Sequence, residues 1–331
     1  MSNMSRLSLA VVSAIVLACN WTASERAAAQ DYPARPITMI VPYPAGGVTD
    51  SLARLLAERM KASLGQTIIV ENVGGAGGSI ATGRLARSAP DGYTIELGNA
   101  ETHVLNAVAQ ALPYDVVNDF EPVALLPSYT FLLVTTNAVP AKNLNELIAW
   151  IKANPDKVSQ GTVGSGTVQH LCGVFMQDRI GVKWQFVPYR GGTPAMQDLL
   201  SGQINFMCTA SGSFLPLVRN GQIRAYAVTA KVRIESDPNI PTVDEAGLPG
   251  LYVSVWNAFW APKGMPKPIL TKLNAAAVAA LSDPAIRKRV LDMGLDMPPA
   301  DQRTPAALAA LQKAEIAKWW PLAKAAGIKP Q

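Results

Sequence analysis

Apolar and polar residues along the chain form a repeating pattern in which short apolar runs precede amphipathic segments. The first run, Ile37 to Val41, has the length and composition of a buried strand. In the segment that follows, apolar side chains recur at helical spacing and Gly65 marks the end of the pattern. These apolar positions are Leu52, Leu55, Leu56 and Met60. The pattern predicts a strand, a turn over residues 42–50, and then a helix.

The same order of strand, glycine-rich turn and helix recurs along the chain. Three more glycine turns follow predicted strands, at residues 72–78, 164–167 and 188–194. Residues suited to cap the helices after the turns are Thr49 or Asp50, Ser79 and Thr193. Further strands are predicted at 93–97, 131–135, 204–208, 224–229 and 252–260. Further helices are predicted at 144–153, 269–281, 284–293 and 305–326, where Pro321 should kink or split the last one. This alternation is typical of an α/β protein with mostly parallel sheets.

The glycine turns suggest an anion-binding site. A strand, a glycine turn and a helix N-terminus together present free backbone N–H groups and the positive end of the helix dipole to one spot. The first turn, with Gly46 and Gly47, has no Lys-Ser/Thr after the glycines and no G-x-G-x-x-G pattern. It therefore does not have the features of a nucleotide phosphate loop. The alternative interpretation is an ordinary connection between strand and helix.

The N-terminal residues have the features of a secretory signal peptide. Arg6 precedes an apolar run from Leu7 to Ala18, and a small-residue site predicts cleavage after Ala29. A lipoprotein signal ending at Cys19 is a minor alternative. No later stretch approaches the ~20 uninterrupted apolar residues of a membrane span. These features predict an exported, periplasmic protein.

Length, charge and cysteine content narrow the possibilities further. The chain has 331 residues, of which 49% are hydrophobic, so it can form two lobes with substantial cores. Removal of residues 1–29 changes Lys+Arg from 29 to 27 and Asp+Glu from 24 to 23, which leaves a net charge of about +4. This charge is scattered, which argues against a nucleic-acid partner and suits anionic solutes. Export would permit a disulfide between Cys172 and Cys208, but two cysteines form no framework, and we expect buried free thiols.

Two alternatives to a binding site can be weighed from the residues. A serine hydrolase could use Ser165 and His170, but Val163 occupies the first position of a G-x-S-x-G elbow, which leaves hydrolysis a remote alternative. No cluster of His, Cys and carboxylates has metal-ligand spacing. His170 could be structural or could contact a ligand. Arg190 could form an ion pair between lobes or bind a carboxylate, and Trp256 could face the cleft.

Ten stretches, taken together and in order, resemble the Bug solute-binding proteins, the extracytoplasmic receptors of tripartite tricarboxylate transporters. They are VPYPAGGVTD, ENVGGAGG, APDGYT, LPYDVVNDFEPVALL, KANPDKV, VPYRGGTPAMQDLLSGQ, AVT, PTVDEAGLPG, WNAFWAPKG and AEIAKWW with AAGIK. The resemblance extends over residues 31–328. It implies a two-lobed type II periplasmic binding protein fold, with mostly parallel sheets, flanking helices and two crossover strands as a hinge. Lobe 1 would comprise residues 31–131 plus 256–331 and lobe 2 residues 132–255, with crossings near 129–134 and 252–257.

The resemblance also implies a function and a site. Members of the family bind small organic acids, and the lobes close on the ligand. No catalytic residue and no cofactor is implied. The ligand-binding residues carried over on lobe 1 are Tyr43, Gly46, Gly47, Thr49, Asp50, Gly77, Asn99 and Thr102. Those carried over on lobe 2 are Ser165, Gly166, Thr167, His170, Arg190 and Gly191.

The chain departs from the family pattern at Asn205 and Thr209, where acidic residues are usual, so contacts from that strand are open. Fewer acids there would suit a ligand without an amino group. The expected partners are a small organic acid anion and the membrane subunits of a tripartite tricarboxylate transporter, with the protein itself a monomer. An orphan receptor that presents its ligand to a sensor kinase is the alternative. Succinate-like, citrate-like, aromatic and nicotinate-like acids all remain open.

Overall fold

The computed structural model describes residues 32–164, 167–325 and 327. The predicted signal peptide, with Cys19, and the site residues Ser165 and Gly166 lie outside the described residues. In the described part, no helix combines the length and apolar character needed to cross a membrane.

Strands and helices alternate along the chain as the hydrophobic pattern predicts. The strands are β1 (Ile37–Val41), β2 (Ile68–Asn72), β3 (Thr94–Asn99), β4 (Phe120–Thr136), β5 (Ser159–Thr162), β6 (Gln185–Pro188), β7 (Phe206–Ala210), β8 (Ile223–Val228) and β9 (Ser254–Pro262). The first helices are α1 (Val48–Leu64), α2 (Ser79–Ala86), a π-helix (Glu101–Leu105), α3 (Asn106–Ala109), α4 (Leu144–Ala153) and α5 (Val168–Ile180). The remaining helices are α6 (Gly192–Ser201), α7 (Ser211–Arg219), α8 (Lys267–Leu281), α9 (Pro284–Asp292) and α10 (Pro305–Ala325). Short 3₁₀ turns occur at Ala76–Gly78, Pro155–Lys157 and Ala300–Gln302.

The strands form one curled sheet with two halves. In the first half β2, β1 and β3 are parallel, and in the second half β6, β5 and β7 are parallel. The antiparallel strands β9 and β4 join the halves, in the order β2-β1-β3-β9-β4-β7-β5-β6, and β8 also pairs with β4. The long strand β4 pairs with β9 up to Thr130 and with β7 and β8 from Phe131 onward. This is the two-lobed, mixed α/β fold expected, in which two crossing stretches link the lobes.

One hydrophobic cluster lies in the first half, a second lies in the second half, and a third extends across both halves, from Leu85 and Phe120 to Phe206. The predicted apolar face of α1 is fully buried between the sheet and α8, and its members Leu52, Leu56 and Met60 have no exposed surface. Gly65 ends α1 in the left-handed conformation, and its amide donates to the Lys61 carbonyl. A separate cluster around Leu132, Leu199 and Phe214 fills part of the second half. Burial of these faces supplies the main stabilisation of both halves.

The C-terminal helix α10 supports the π-helix. The Gln312 amide donates to the carbonyls of His103 and Val116 at 3.0 and 2.9 Å, and the Trp320 indole donates to the Val104 carbonyl at 2.9 Å. Carbonyls of a π-helix do not have the usual hydrogen-bond donors of an α-helix, and these long-range bonds supply donors to those of His103 and Val104. The alternative that Pro321 splits the last helix is wrong, because α10 continues through it to Ala325. A kink at Pro321 stays a prediction.

The expectation of free thiols is also wrong. Cys172 on α5 and Cys208 on β7 form a disulfide with a Cα–Cα distance of 6.3 Å. The two cysteines are 36 residues apart in sequence. They meet because α5, which follows β5, packs against the adjacent strand β7.

Candidate functional site

Both sets of parallel strands end beside the same stretch of the sheet. Asn99, the last residue of β3, pairs with Asn257 of β9, and Ala210, the last residue of β7, pairs with Phe131 of β4. The Asn257 amide donates to the Pro127 carbonyl at 2.7 Å, which ties the two crossing strands together. Ligands in open α/β sheets bind outside the carboxyl ends of the strands. The turns after these strands therefore border one candidate site.

Asp50 holds the first glycine turn, residues 42–47, in place. This carboxylate is 3% exposed and accepts hydrogen bonds from the Gly46 amide at 2.8 Å, from Arg54 at 3.1 Å and from Asn72 at 3.0 Å. Burial acts to raise the pKa of Asp50, but the bonds from Arg54, Gly46 and Asn72 outweigh it and hold the pKa below its ordinary value. Because its oxygens are occupied within the protein, Asp50 shapes the turn and is not presented to a ligand.

The predicted capping residues do not begin the helices. Gly47 is the N-cap of α1, in an extended conformation with φ −76° and ψ 171°, so Thr49 and Asp50 lie inside the first turn. Gly78 precedes α2 and Gly191 precedes α6, so Ser79 and Thr193 lie inside their helices. Glycine reaches these conformations easily, which lets each helix start earlier than the polar residues suggest.

The N-terminus of α1 has no side-chain cap. The same is true of α5 and α6, whereas Asn143 caps α4 and Asp283 caps α9, each with a hydrogen bond of 2.9 Å. Thr49 is 7% exposed, and its hydroxyl forms no hydrogen bond to another described residue. The backbone N–H groups and the hydroxyl at the start of α1 thus remain available as donors for an anion.

The turn after β3 joins the first glycine turn through side-chain bonds. Asn99 Oδ1 accepts from the Glu101 amide at 2.9 Å and from the Thr102 amide at 3.3 Å, and it lies 3.0 Å from the Tyr43 hydroxyl. The fully buried Thr102 hydroxyl accepts from the Asn99 amide at 3.0 Å. The Tyr43 hydroxyl also lies 3.1 Å from Glu101 Oε2. Tyr43, Asn99 and Thr102 are therefore brought together as predicted, with Glu101 as an additional member.

The second glycine turn, residues 74–78, packs directly on this assembly. A Cβ on Gly78 would lie 2.7 Å from Thr102 Cγ2 and 2.9 Å from Pro42 Cβ. Gly77 has φ 61°, and its carbonyl accepts from the Asn106 amide at 2.9 Å. Gly77 itself is exposed and contacts α3 through Asn106, and its assignment to the ligand site stays a prediction.

On the second half of the sheet, Thr167 is the N-cap of α5 and its hydroxyl donates to the Gly164 carbonyl at 2.7 Å. His170 is half-buried, and its ring meets Phe186 edge to face with centroids 4.7 Å apart. Burial lowers the pKa of His170, so the ring is neutral at pH 7. His170 therefore brings no positive charge to the site.

Arg190 provides the charge that His170 lacks. Its side chain is exposed, at the carboxyl end of β6, and it forms no ion pair with a described acidic residue. Asp198, in the helix α6 that follows, accepts instead from the Tyr189 hydroxyl at 2.7 Å. Gly191, which follows, has φ 152° and open space around its missing Cβ. The turn thus presents an available guanidinium beside the start of α6.

Three other residues that the sequence analysis discussed have structural roles. Trp256 is 3% exposed and packs in the core, so it does not line an open cleft. Asn205 joins the starts of two strands, accepting from the Ser159 amide at 3.0 Å and donating to the Lys157 carbonyl at 2.6 Å. Thr209 is buried in β7 beside Leu132. Asn205 in particular lies at the opposite end of the strand from the candidate site.

Arg54, Asn72 and Glu101 were not predicted as members of the site. The ion pair of Arg54 with Asp50 could have been predicted from the sequence, because Arg54 follows Asp50 by four residues, the spacing of helical ion pairs. Asn72 ends β2, and its amide donates to the Tyr43 carbonyl at 3.1 Å. No group of three metal-ligating side chains is present among the described residues.

Comparisons with known proteins agree with this geometry. A family profile described as "Tripartite tricarboxylate transporter family receptor" matches residues 52–328. BugT of Bordetella pertussis is 37% identical over 286 residues, 86% of this chain and 87% of that protein. An uncharacterised protein of Agrobacterium vitis, from the ttuE-ttuC' intergenic region, is 41% identical over 291 residues, 88% of this chain and 84% of that protein.

Solved structures extend the likeness to the fold. The periplasmic binding protein BugD is 39% identical with a TM-score of 0.77, covering 91% of this chain and all of that one (100%). MatC from Rhodopseudomonas palustris, solved with bound malate, is 38% identical with a TM-score of 0.76, covering 88% and 99% of the two chains. R. palustris Rpa4515, solved with adipate, is 32% identical with a TM-score of 0.80, covering 91% and 100%. The chain therefore belongs to the tripartite tricarboxylate transporter receptor family of solute-binding proteins.

Proposed function

We propose that this protein is a periplasmic receptor that binds a small organic acid anion between its two lobes, without catalysis, and delivers it to the membrane subunits of a tripartite transporter. The observation that carries the proposal is the uncapped N-terminus of the 17-residue helix α1 above a glycine turn. Asp50, the acid of that turn, is already neutralised by Arg54. Malate and adipate, bound by two relatives, belong to the same chemical class.

One carboxylate of the ligand would accept hydrogen bonds from the first backbone N–H groups of α1 and from the Thr49 hydroxyl. A second acidic group would meet Arg190 on the other half of the sheet. Hydrogen bonds between charged partners are the stronger ones, and both sets form only when the lobes approach. The ligand would therefore favour the closed arrangement, because its affinity for the closed state exceeds that for the open state.

The remaining parts of the proposal concern the whole chain. Residues 1–29 would direct export and be removed, and the mature protein would act as a monomer with one site. Lobe 1 would comprise residues 31–131 plus 256–331 and lobe 2 residues 132–255. The change of β4 partners between Thr130 and Phe131 supports the first of these boundaries.

Isothermal titration calorimetry of the mature protein with malate, succinate, adipate and citrate tests the proposal. We expect one site per chain for at least one acid, and the acid should be recovered unchanged by NMR. Thr49→Val, which removes one donor and keeps the shape, should weaken binding by about 1 kcal/mol, roughly fivefold. Thr67→Val on an exposed position is the matched control and should bind as the wild type does. Folded protein that binds none of the acids, or that steadily consumes one, would contradict the proposal.

A further inference from the structure

Glu101 is an acidic residue in the turn after β3, one of the turns that border the candidate anion site. It begins the π-helix directly after the turn at the end of β3, and it is half-buried. Its Oε2 atom lies 3.1 Å from the hydroxyl of Tyr43, which belongs to the same glycine turn that leads into α1. No described Lys or Arg forms an ion pair with it, in contrast to Asp50, which pairs with Arg54. This carboxyl group therefore lacks a compensating positive charge.

The hydrogen bonds around Glu101 leave part of its capacity unused. Asn99 Oδ1 already accepts from two backbone amides, so the single hydroxyl proton of Tyr43 is best shared with Glu101. A carboxylate can accept about four hydrogen bonds, and among the described residues Tyr43 is the one donor to this group. Tyr129 also lies close to Glu101 and is neutral, because burial raises its pKa, so it does not supply a positive charge. Any further donor must come from outside the described residues, for example from solvent or from a ligand.

Resting on the proposed function, we propose that Glu101 is a specificity-determining residue that accepts a hydrogen bond from a hydroxyl or ammonium group of the ligand. The preferred ligands would then be hydroxy or amino derivatives of short dicarboxylic acids. Burial raises the pKa of Glu101, and an ammonium group of the ligand would stabilise the ionised carboxylate with a charge-assisted hydrogen bond, whereas a ligand hydroxyl would supply a neutral donor. A dicarboxylate with no hydroxyl or amino group brings negative charge near Glu101 and supplies no hydrogen-bond donor to it. Its affinity should therefore be lower.

The absence of acids at Asn205 and Thr209 suggested a ligand without an amino group, and the position of Glu101 argues against that suggestion. Those positions lie in the scaffold of the second half, so their lack of charge says little about the ligand. Glu101 instead places an acid at the carboxyl edge of the first half, where the turns meet. A ligand with a hydroxyl or amino group fits that arrangement better than one without either.

Matched acids that differ by one group provide the test. Calorimetry should compare succinate with malate and aspartate, and glutarate with 2-hydroxyglutarate and glutamate, on the wild type and on Glu101→Ala. In at least one series the wild type should bind a hydroxy or amino acid at least tenfold more tightly than the plain acid. In Glu101→Ala that ratio should fall to threefold or less. Glu58→Gln, which removes an exposed acid elsewhere on lobe 1, should keep the wild-type ratio.

Each outcome decides the assignment. Equal binding of plain and substituted acids by the wild type overturns the role of Glu101 and leaves the receptor function intact. A preference that persists in a folded Glu101→Ala protein also overturns it, and thermal unfolding establishes that the variant is folded. If Glu101→Ala fails to fold, Glu101→Gln takes its place, and loss of the preference for the ammonium-bearing acids is then the expected result. Absence of binding by every acid overturns both the receptor function and this assignment.

Discussion

Replacing Gly47 by Asp should stabilise the fold and weaken ligand binding. Gly47 already has the extended conformation of an N-cap residue, and an added Cβ would meet only the Pro44 carbonyl at 3.7 Å, an ordinary contact. Asp is among the best N-cap residues and exceeds glycine by a few tenths of a kcal/mol. Its charge at the positive end of α1 adds about 0.3–1 kcal/mol. Urea unfolding should therefore show a stability gain of about 0.5–1.5 kcal/mol.

The same aspartate would occupy the donors that the ligand needs. If a ligand carboxylate still approached within about 4 Å of it, an effective dielectric constant of about 20 gives a repulsion of about 4 kcal/mol, roughly a thousandfold in affinity. Calorimetry should thus show at least a tenfold loss of affinity. Gly47→Asn, which caps the helix without the charge, is the matched control and should lose less. A Gly47→Asp protein that is folded and binds within threefold of the wild type would refute an anion site at α1.

Three further predictions concern the scaffold. Replacing Cys172 and Cys208 by Ala should lower the free energy of unfolding by about 3.8 kcal/mol, which is the chain-entropy value for a 36-residue loop. Urea unfolding measures this loss, and a loss below about 1 kcal/mol would contradict the prediction. Asp50→Asn should cost about 1.5–3 kcal/mol at pH 7. The folded pKa of Asp50 lies below its ordinary value of 3.8, so its contribution is fully present above pH 3.8 and is lost as the pH falls through the lower, folded pKa. The difference in urea unfolding between wild type and variant should therefore shrink as the pH is lowered below 3.8, and a constant difference would be evidence against this role of Asp50. Gly78→Ala, at φ 88° with a methyl carbon 2.7 Å away, should be clearly less stable in thermal unfolding than Gly65→Ala, where φ is 72° and nothing is near.

The sequence predicts the regular elements well where periodicity is strong. Helix α4 spans 144–153 as predicted, and the buried face of α1 is the predicted one. The predicted strand 131–135 omits the first part of β4, which begins at Phe120. That part contains Pro122 and Pro127, at places where the pairing register with β9 shifts. Proline is tolerated in strands at such irregularities, but it interrupts the pattern by which a strand is recognised.

The site is only partly readable from the sequence. The glycine turns reveal which segments border it, since each follows a strand whose carboxyl end lies at the same region of the sheet. The side-chain bonds within it join residues far apart in sequence, such as Tyr43 with Glu101 and Asn72 with Asp50. Local pattern carries no information about such pairs. For the same reason, the sequence could not separate Asp50, whose oxygens are all engaged, from residues that remain available.

A crystal structure of the mature protein with malate bound tests the central claim most directly. The account predicts a malate carboxylate within about 3 Å of the first backbone N–H groups of α1, the distance of an N–H···O hydrogen bond. It also predicts Arg190 facing the ligand from the second half of the sheet. The account would be contradicted if malate bound elsewhere and no ligand contacted the start of α1. One such place is the cavity lined by Lys231, Arg233 and Arg287.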